Sequence, residues 1–245
     1  MTHYMKDSSA SLFALPTPAP DLLKARKRPQ QARSVATVEA IFAATIQVLL
    51  AHGPGNLTTT RVAERAGVSV GTMYQYFPHK QALFFAVLQR HLALLTDAVE
   101  SAHRALEGKP LAVMSDGLVT AFLEARTSDI DASRAIYLFA ADLDTEALLS
   151  DVFDRVRSAV TRLLASASDA TFDNLDAVAQ MMCATLSGTT RTVLERSDPG
   201  ALEALKRELP ALCRAYLAAA ACPAGGHMLH CHSGGAVVPR HSAPA

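Results

Sequence analysis

No apolar run in this chain reaches the roughly 18 residues that a membrane-spanning helix needs, so nothing is expected to cross a bilayer. The most apolar stretch near the C-terminus, Ala211 to Cys222, is short and carries Arg214. No secretory core is expected at the N-terminus either, because Leu12–Leu15 is closed by Pro16. Four cysteines (Cys183, Cys213, Cys222 and Cys231) in 245 residues make no disulfide framework. These absences point to a cytoplasmic protein with reduced thiols. Neither sign of charge is in surplus, with 23 basic and 23 acidic side chains. No window alternates with period two and β-branched enrichment, which excludes a sheet-based fold. Also missing are a phosphate-binding glycine loop, a dinucleotide fingerprint, a nucleophile elbow and paired carboxylates. No catalytic residue, metal ligand or cofactor is therefore expected in the helical body.

What is present is 50% apolar and 19% charged residues, enough to build a packed core. The balanced charge is unevenly placed. Residues 1–80 carry 9 Lys/Arg against 4 Asp/Glu, whereas residues 81–245 carry 14 against 19. A basic first third can face a polyanion and the acidic remainder cannot do so easily. Pro16, Pro18 and Pro20 exclude a helix there, so residues 1–29 read as a disordered arm ending in the basic cluster Lys24, Arg26, Lys27, Arg28. Such an arm is either a solvated linker or a minor-groove contact.

From about Gln30 to His52, Val38, Ile41, Phe42, Thr45 and Leu49 recur at spacings of three and four. That is one apolar stripe on a helix, ended by Gly53-Pro54-Gly55. Short helices follow at Thr59–Ala66 and about Val70–Tyr76, with Thr58 and Ser69 as N-caps and Gly67 at the turn between them. A long helix spans about His79–Leu106. Further helices are expected near 110–128, 131–143, 145–166, 173–196 and 199–221, with Pro210 kinking or splitting the last. The chain is thus read as all-α. Its domains are a helix–turn–helix unit at 30–85, whose fourth helix continues to about 106, and a larger helical domain at 107–221. Residues 222–245 read as a disordered tail.

Two short helices joined by Ala-Gly-Val-Ser form a helix–turn–helix, with Val62, Ala63, Ala66, Val68, Met73 and Phe77 as its small core. In such a unit the second helix enters the DNA major groove. The stretch from Thr58 to Lys80 meets the pattern T-T-x-x-(I/V)-A-x-x-A-G-V-S-x-G-x-(L/M)-Y-x-Y-F-x-x-K without a gap. There the sequence resembles the TetR family of transcriptional regulators. The LacI family shares the first half of the motif. It carries it at the extreme N-terminus, before an α/β domain, whereas here a full helix precedes it and no strands follow.

The resemblance implies roles for particular residues. Val70, Gly71, Thr72 and Gln75 would read bases, with Thr60 reaching a base from the preceding helix. Gln75 carries an amide suited to adenine. Tyr74, Tyr76 and Lys80 would hold phosphates, with Arg33, Thr58, Thr59 and His79 as weaker candidates. His79 and Gln81 stand where the family usually has a small polar and an acidic residue, and His79 is expected to be a poor helix cap.

The resemblance also implies a homodimer built by the last two helices, reading a pseudo-palindrome in double-stranded DNA. Ala177, Met181, Ala184, Ser187 and Thr190 on one helix and Leu202, Leu205, Leu212 and Tyr216 on the next offer the contacts. A pocket for a small, largely apolar effector would draw on Met114, Phe122, Tyr137, Phe139, Phe153, Met181 and Met182. The expected function is a repressor released from its operator by that effector. Two alternatives stay open. One is a metal-responsive regulator using His227, His230, Cys231, His232 and His241. The other is a DNA-binding nucleoid factor without a ligand.

Overall fold

The computed structural model describes residues 32–139, 145–196 and 198–223. Nine α-helices account for most of them: α1 Ala32–His52, α2 Thr59–Ala66, α3 Val70–Tyr76, α4 Lys80–Leu106, α5 Leu111–Thr127, α6 Ile130–Phe139, α7 Glu146–Ala165, α8 Leu175–Arg196 and α9 Pro199–Ala220. The expected arm lies outside the described residues, as do Gln30 and most of the tail.

Local chemistry sets most helix ends. Gly53 takes φ +73° after α1, and Gly67 takes φ +67° after α2, a left-handed backbone that a side chain would strain. At Gly67 the Val68 N–H returns to the Ala63 carbonyl at 3.0 Å, closing the helix end. Thr58 Oγ1 accepts from Arg61 N–H at 3.2 Å, and Ser69 Oγ accepts from Thr72 N–H at 3.0 Å. Asp129 and Asn174 cap α6 and α8 in the same way. Helix α5 follows Pro110, which offers no side-chain cap. Instead Asp169, from the connection between α7 and α8, accepts the Leu111 N–H at 2.8 Å.

Packing divides into two apolar clusters. The first gathers α1, α2, α3 and the start of α4 around Ile41, Leu49, Val62, Met73 and Phe77. The second gathers the rest of α4 with α5, α7, α8 and α9 around Leu88, Leu118, Leu163 and Leu186. Helix α6 belongs to both, since Ala132 and Ala135 pack in the first and Ile136 in the second. An Arg90–Glu39 ion pair ties α4 to α1, with the Arg90 guanidinium over the Phe42 ring. By length and mean hydropathy α1 and α4 would each suffice to cross a membrane. The expectation that no segment is apolar enough overlooked them because scattered polar residues interrupt both runs. In the fold their apolar faces cover each other and their neighbours.

Three sequence expectations change. Of the two outcomes expected at Pro210, a kink or a split, the split does not occur: α9 continues through it, and the carbonyl deprived of its partner belongs to the exposed Lys206. Cys222 and Pro223 are not tail: they pair antiparallel with Thr171 and Ala170 in a two-residue ladder. His79 is a working cap for α4.

Candidate DNA-binding face and effector cavity

Helix α3 turns Met73 and Tyr76 inward and leaves Val70, Gly71, Tyr74 and Gln75 exposed. The spacing of three between Met73 and Tyr76 puts both on the core side of a seven-residue helix. Thr60 is exposed on α2. Thr72 is half-buried, and its hydroxyl is engaged with Ser69 Oγ at 2.8 Å, so it serves the cap first.

Among the phosphate candidates, Tyr74 is 43% exposed, and its hydroxyl accepts from Thr59 Oγ1 at 3.2 Å. The phenolic proton of Tyr74 therefore remains free to be donated. Thr59 is buried and spent on positioning Tyr74 rather than facing outward. Tyr76, the other member of the expected phosphate pair, is only 5% exposed, its ring packed against Phe77 with centroids 6.3 Å apart. Thr58 and Arg33 are exposed, and Lys80 is half-buried at the first turn of α4.

His79 holds Nδ1 3.2 Å from the Ala82 N–H and accepts from it. Nδ1 is as many bonds from Cα as the side-chain oxygen of asparagine, so an extended His can cap as Asn does. Its Nδ1 is thereby committed to α4. Arg61 and Arg65, not singled out in the sequence, are exposed on α2 but anchored to Asn56 O and Gln47 Oε1.

The second cluster borders an open cavity of about 870 Å³ between α4, α5, α6, α7 and α8. Leu92, Leu95, Val99, Leu118, Val152, Val156, Val160 and Leu186 give it apolar walls. Of the residues expected there, Phe122, Tyr137 and Phe153 line it. Met114 and Met182 sit fully buried behind the wall, and Phe139 packs toward the DNA-binding cluster instead. Met181 is 52% exposed on the opposite face of α8. A single residue's step separates Met181 from Met182: adjacent residues on a helix point about 100° apart, so one enters the core as the other leaves it.

Arg126 is the wall residue that sequence reading missed. It is 6% exposed, and its guanidinium lies 5.2 Å from the Tyr137 ring centroid and 5.8 Å from that of Phe122. A signal existed: Met114, Leu118, Phe122 and Arg126 recur every four residues, so a cation sits on a core stripe. Behind it, Ser133 Oγ donates to the Arg126 carbonyl at 2.7 Å and lies 3.1 Å from His91 Nε2. Ser133 has one proton and gives it to that carbonyl, so His91 Nε2–H donates to Ser133. Burial, with Arg126 and Arg90 nearby, lowers the His91 pKa to about 3 and keeps it neutral.

On the remaining surface, α8 exposes Ala177, Met181, Ala184 and Gly188, a stripe of small and apolar residues at spacings of three and four. The groove beside it runs along α9 past Ala204, Ala211 and Leu212, with Leu212 exposed. Thr190 and Leu205, expected at the dimer face, are buried within the chain, and Ser187 lines the cavity. Leu202 and Tyr216 are half-buried against the second cluster. Among the described residues no cluster of three or more His, Cys, Asp or Glu could hold a metal ion. The histidines 227–241 lie outside the described residues.

Comparison with known proteins agrees with this architecture. Residues 41–87 match the family model described as bacterial regulatory proteins, tetR family. Residues 110–217 match a tetracyclin repressor-like C-terminal domain. A crystal structure of a TetR-family regulator from Mesorhizobium loti shares the fold, with TM-score 0.61 and 19% identity over 77% of this chain and 98% of that one. A complex of SmeT with triclosan superposes with TM-score 0.62 at 22% identity, covering 75% of this chain and 91% of that one. The nucleoid occlusion factor SlmA of Haemophilus ducreyi is 37% identical over 62 residues. That match spans 25% of this chain and 31% of SlmA, so it reaches only about a third of the relative's length.

Proposed function

Because the chain belongs to the TetR family of bacterial regulatory proteins, and is a DNA-binding helix–turn–helix regulator with a ligand-binding C-terminal domain, we propose that it is a cytoplasmic homodimeric repressor released from a pseudo-palindromic operator by a small, largely apolar effector. The observation that carries this reading is the shared helix α6. Its Ala132 and Ala135 pack in the DNA-binding core, while its Tyr137 lines the effector cavity.

Base reading falls to Gln75, Val70 and Gly71, which α3 exposes, with Thr60 alongside and Thr72 in a supporting place. Tyr74 and Lys80, with Thr58 and Arg33, hold phosphates. Two copies joined through the Ala177–Met181–Ala184 stripe and the neighbouring Leu212 would set two α3 helices on one face of the duplex. An effector that fits the cavity only in the DNA-incompetent arrangement shifts the population away from the operator. Displacing Tyr137 moves α6 against α1, and α1 carries α2 and α3 with it. The apolar cavity favours this reading over a ligand-independent nucleoid factor, for which the short SlmA match is the only support.

Selection from a random duplex library at about 0.15 M salt, where non-specific attraction is screened, tests the proposal. An enriched inverted repeat is expected. A folded dimer that enriches nothing would overturn it.

A further inference from the structure

Arg126 Nε and Nη1 and the Tyr137 hydroxyl are all buried, and none has a hydrogen-bond partner among the described residues. Both side chains line the same cavity, Arg126 from α5 and Tyr137 from α6. Buried polar groups in folded proteins are ordinarily paired, and an unpaired guanidinium is the costliest exception. The rings of Phe122 and Tyr137 stabilise the cation but satisfy none of its N–H groups.

The other charged wall residues do not answer it. Arg191 is exposed and ion-paired with Glu195 at 2.7 Å. Glu146 is exposed at the start of α7. Tyr137 is kept protonated by burial, which raises its pKa, so its hydroxyl is also a donor. Two kinds of donor, one of them a cation, therefore stand in the wall of an apolar space without an acceptor.

We infer that the effector is an amphipathic carboxylate, its anionic head held by Arg126 and Tyr137 and its apolar body lying between α4, α5, α7 and α8. The inference rests on the reading of this cavity as the effector site and narrows it to one chemical class. A guanidinium presents parallel N–H groups that fit the two oxygens of a carboxylate. One buried cation balances one negative charge, so a monoanion fits better than a dianionic phosphate. A cationic ligand would meet Arg126 and be repelled. A neutral alcohol would leave most of the guanidinium N–H groups unpaired. The volume lies within the range usual for small-molecule sites. Pairing Arg126 with a ligand also acts next to the α6 contact, because the Arg126 carbonyl accepts from Ser133.

Calorimetric titration of the full-length protein with decanoate, tetradecanoate, 1-decanol and decyltrimethylammonium tests this. A carboxylate should bind at least about tenfold more tightly than the alcohol, the factor that a single well-made charged contact supplies. Arg126→Met should lose that preference and keep alcohol binding, and Tyr137→Phe should lose part of it. Tyr137→Phe removes only a hydroxyl, so it keeps the test readable if Arg126→Met does not fold. Equal binding of alcohol and carboxylate, preference for the cation, or unchanged carboxylate affinity in both variants would overturn the anionic head while leaving an apolar effector cavity in place. Silence with all four probes would overturn both.

Discussion

Replacing Arg126 by methionine should make the ligand-free protein more stable, although it removes a buried side chain with two aromatic contacts. Methionine keeps the length and much of the volume of the arginine stem, so no large void opens. The substitution relieves two buried N–H groups without partners, each costing about 1–3 kcal/mol. It forfeits two cation–π contacts, at 5.2 and 5.8 Å, each contributing about 0.5–2 kcal/mol. Taken at their midpoints, the two totals differ by a gain of about 1.5 kcal/mol, in line with replacement of other buried charges by apolar side chains. For a chain of this size that corresponds to a rise in Tm of about 3–6 °C. Differential scanning calorimetry without ligand measures it. A saturating carboxylate should reverse the order, raising the Tm of the wild type and not of the variant. A ligand-free Arg126→Met protein less stable than the wild type would show that Arg126 is already satisfied by its surroundings and would refute the reasoning.

Stability should also depend on pH through His91. The unfolded chain takes up a proton there below about pH 6.5, while the folded chain resists until about pH 3. Stability should therefore fall by about 1.4 kcal/mol per pH unit as the pH drops through that window, reaching about 2 kcal/mol by pH 5. Urea unfolding of the wild type and His91→Gln measures it, the variant showing a shallower fall. Gly67→Ala places a side chain at φ +67°, with no atom within 4 Å of the new Cβ. The cost is then torsional alone, about 1 kcal/mol by chemical denaturation, and a loss above about 3 kcal/mol would point to a clash that the structure does not contain. Gln75→Ala should relax sequence preference at one position of each half-site and cost about 1–3 kcal/mol on the preferred operator, read by competition binding. Met181→Glu, on the exposed stripe of α8, should leave the monomer folded by circular dichroism and shift sedimentation toward monomer. Unchanged sedimentation would remove that stripe from the interface.

The helix–turn–helix was legible because every signal in it is local. Thr58, Ser69 and Gly67 act on N–H and C=O groups within three or four residues, so reading them needs no knowledge of the rest of the fold. The helices of the second domain were legible for the same reason, with breaks where short polar segments interrupt the apolar stripes. His79 was misjudged because its residue type was weighed without the extended backbone that lets Nδ1 reach the Ala82 N–H. The burial of the Tyr76 ring was missed because family position was given more weight than helical phase, and phase places that ring beside Met73 in the core.

Sequence alone thus determined the all-helical class, the motif and the Thr58 and Ser69 caps, since these depend on a period of 3.6 and on groups close along the chain. Tertiary structure decided what covers each stripe. It sent Met181 to the surface and Met182 inward, and it capped α5 with Asp169 from more than fifty residues away. It also closed Arg126 and Tyr137 over one cavity without a partner for either. A stripe says that one side of a helix must be buried; only the packing of helices distant in sequence says whether protein, a second copy or a ligand buries it.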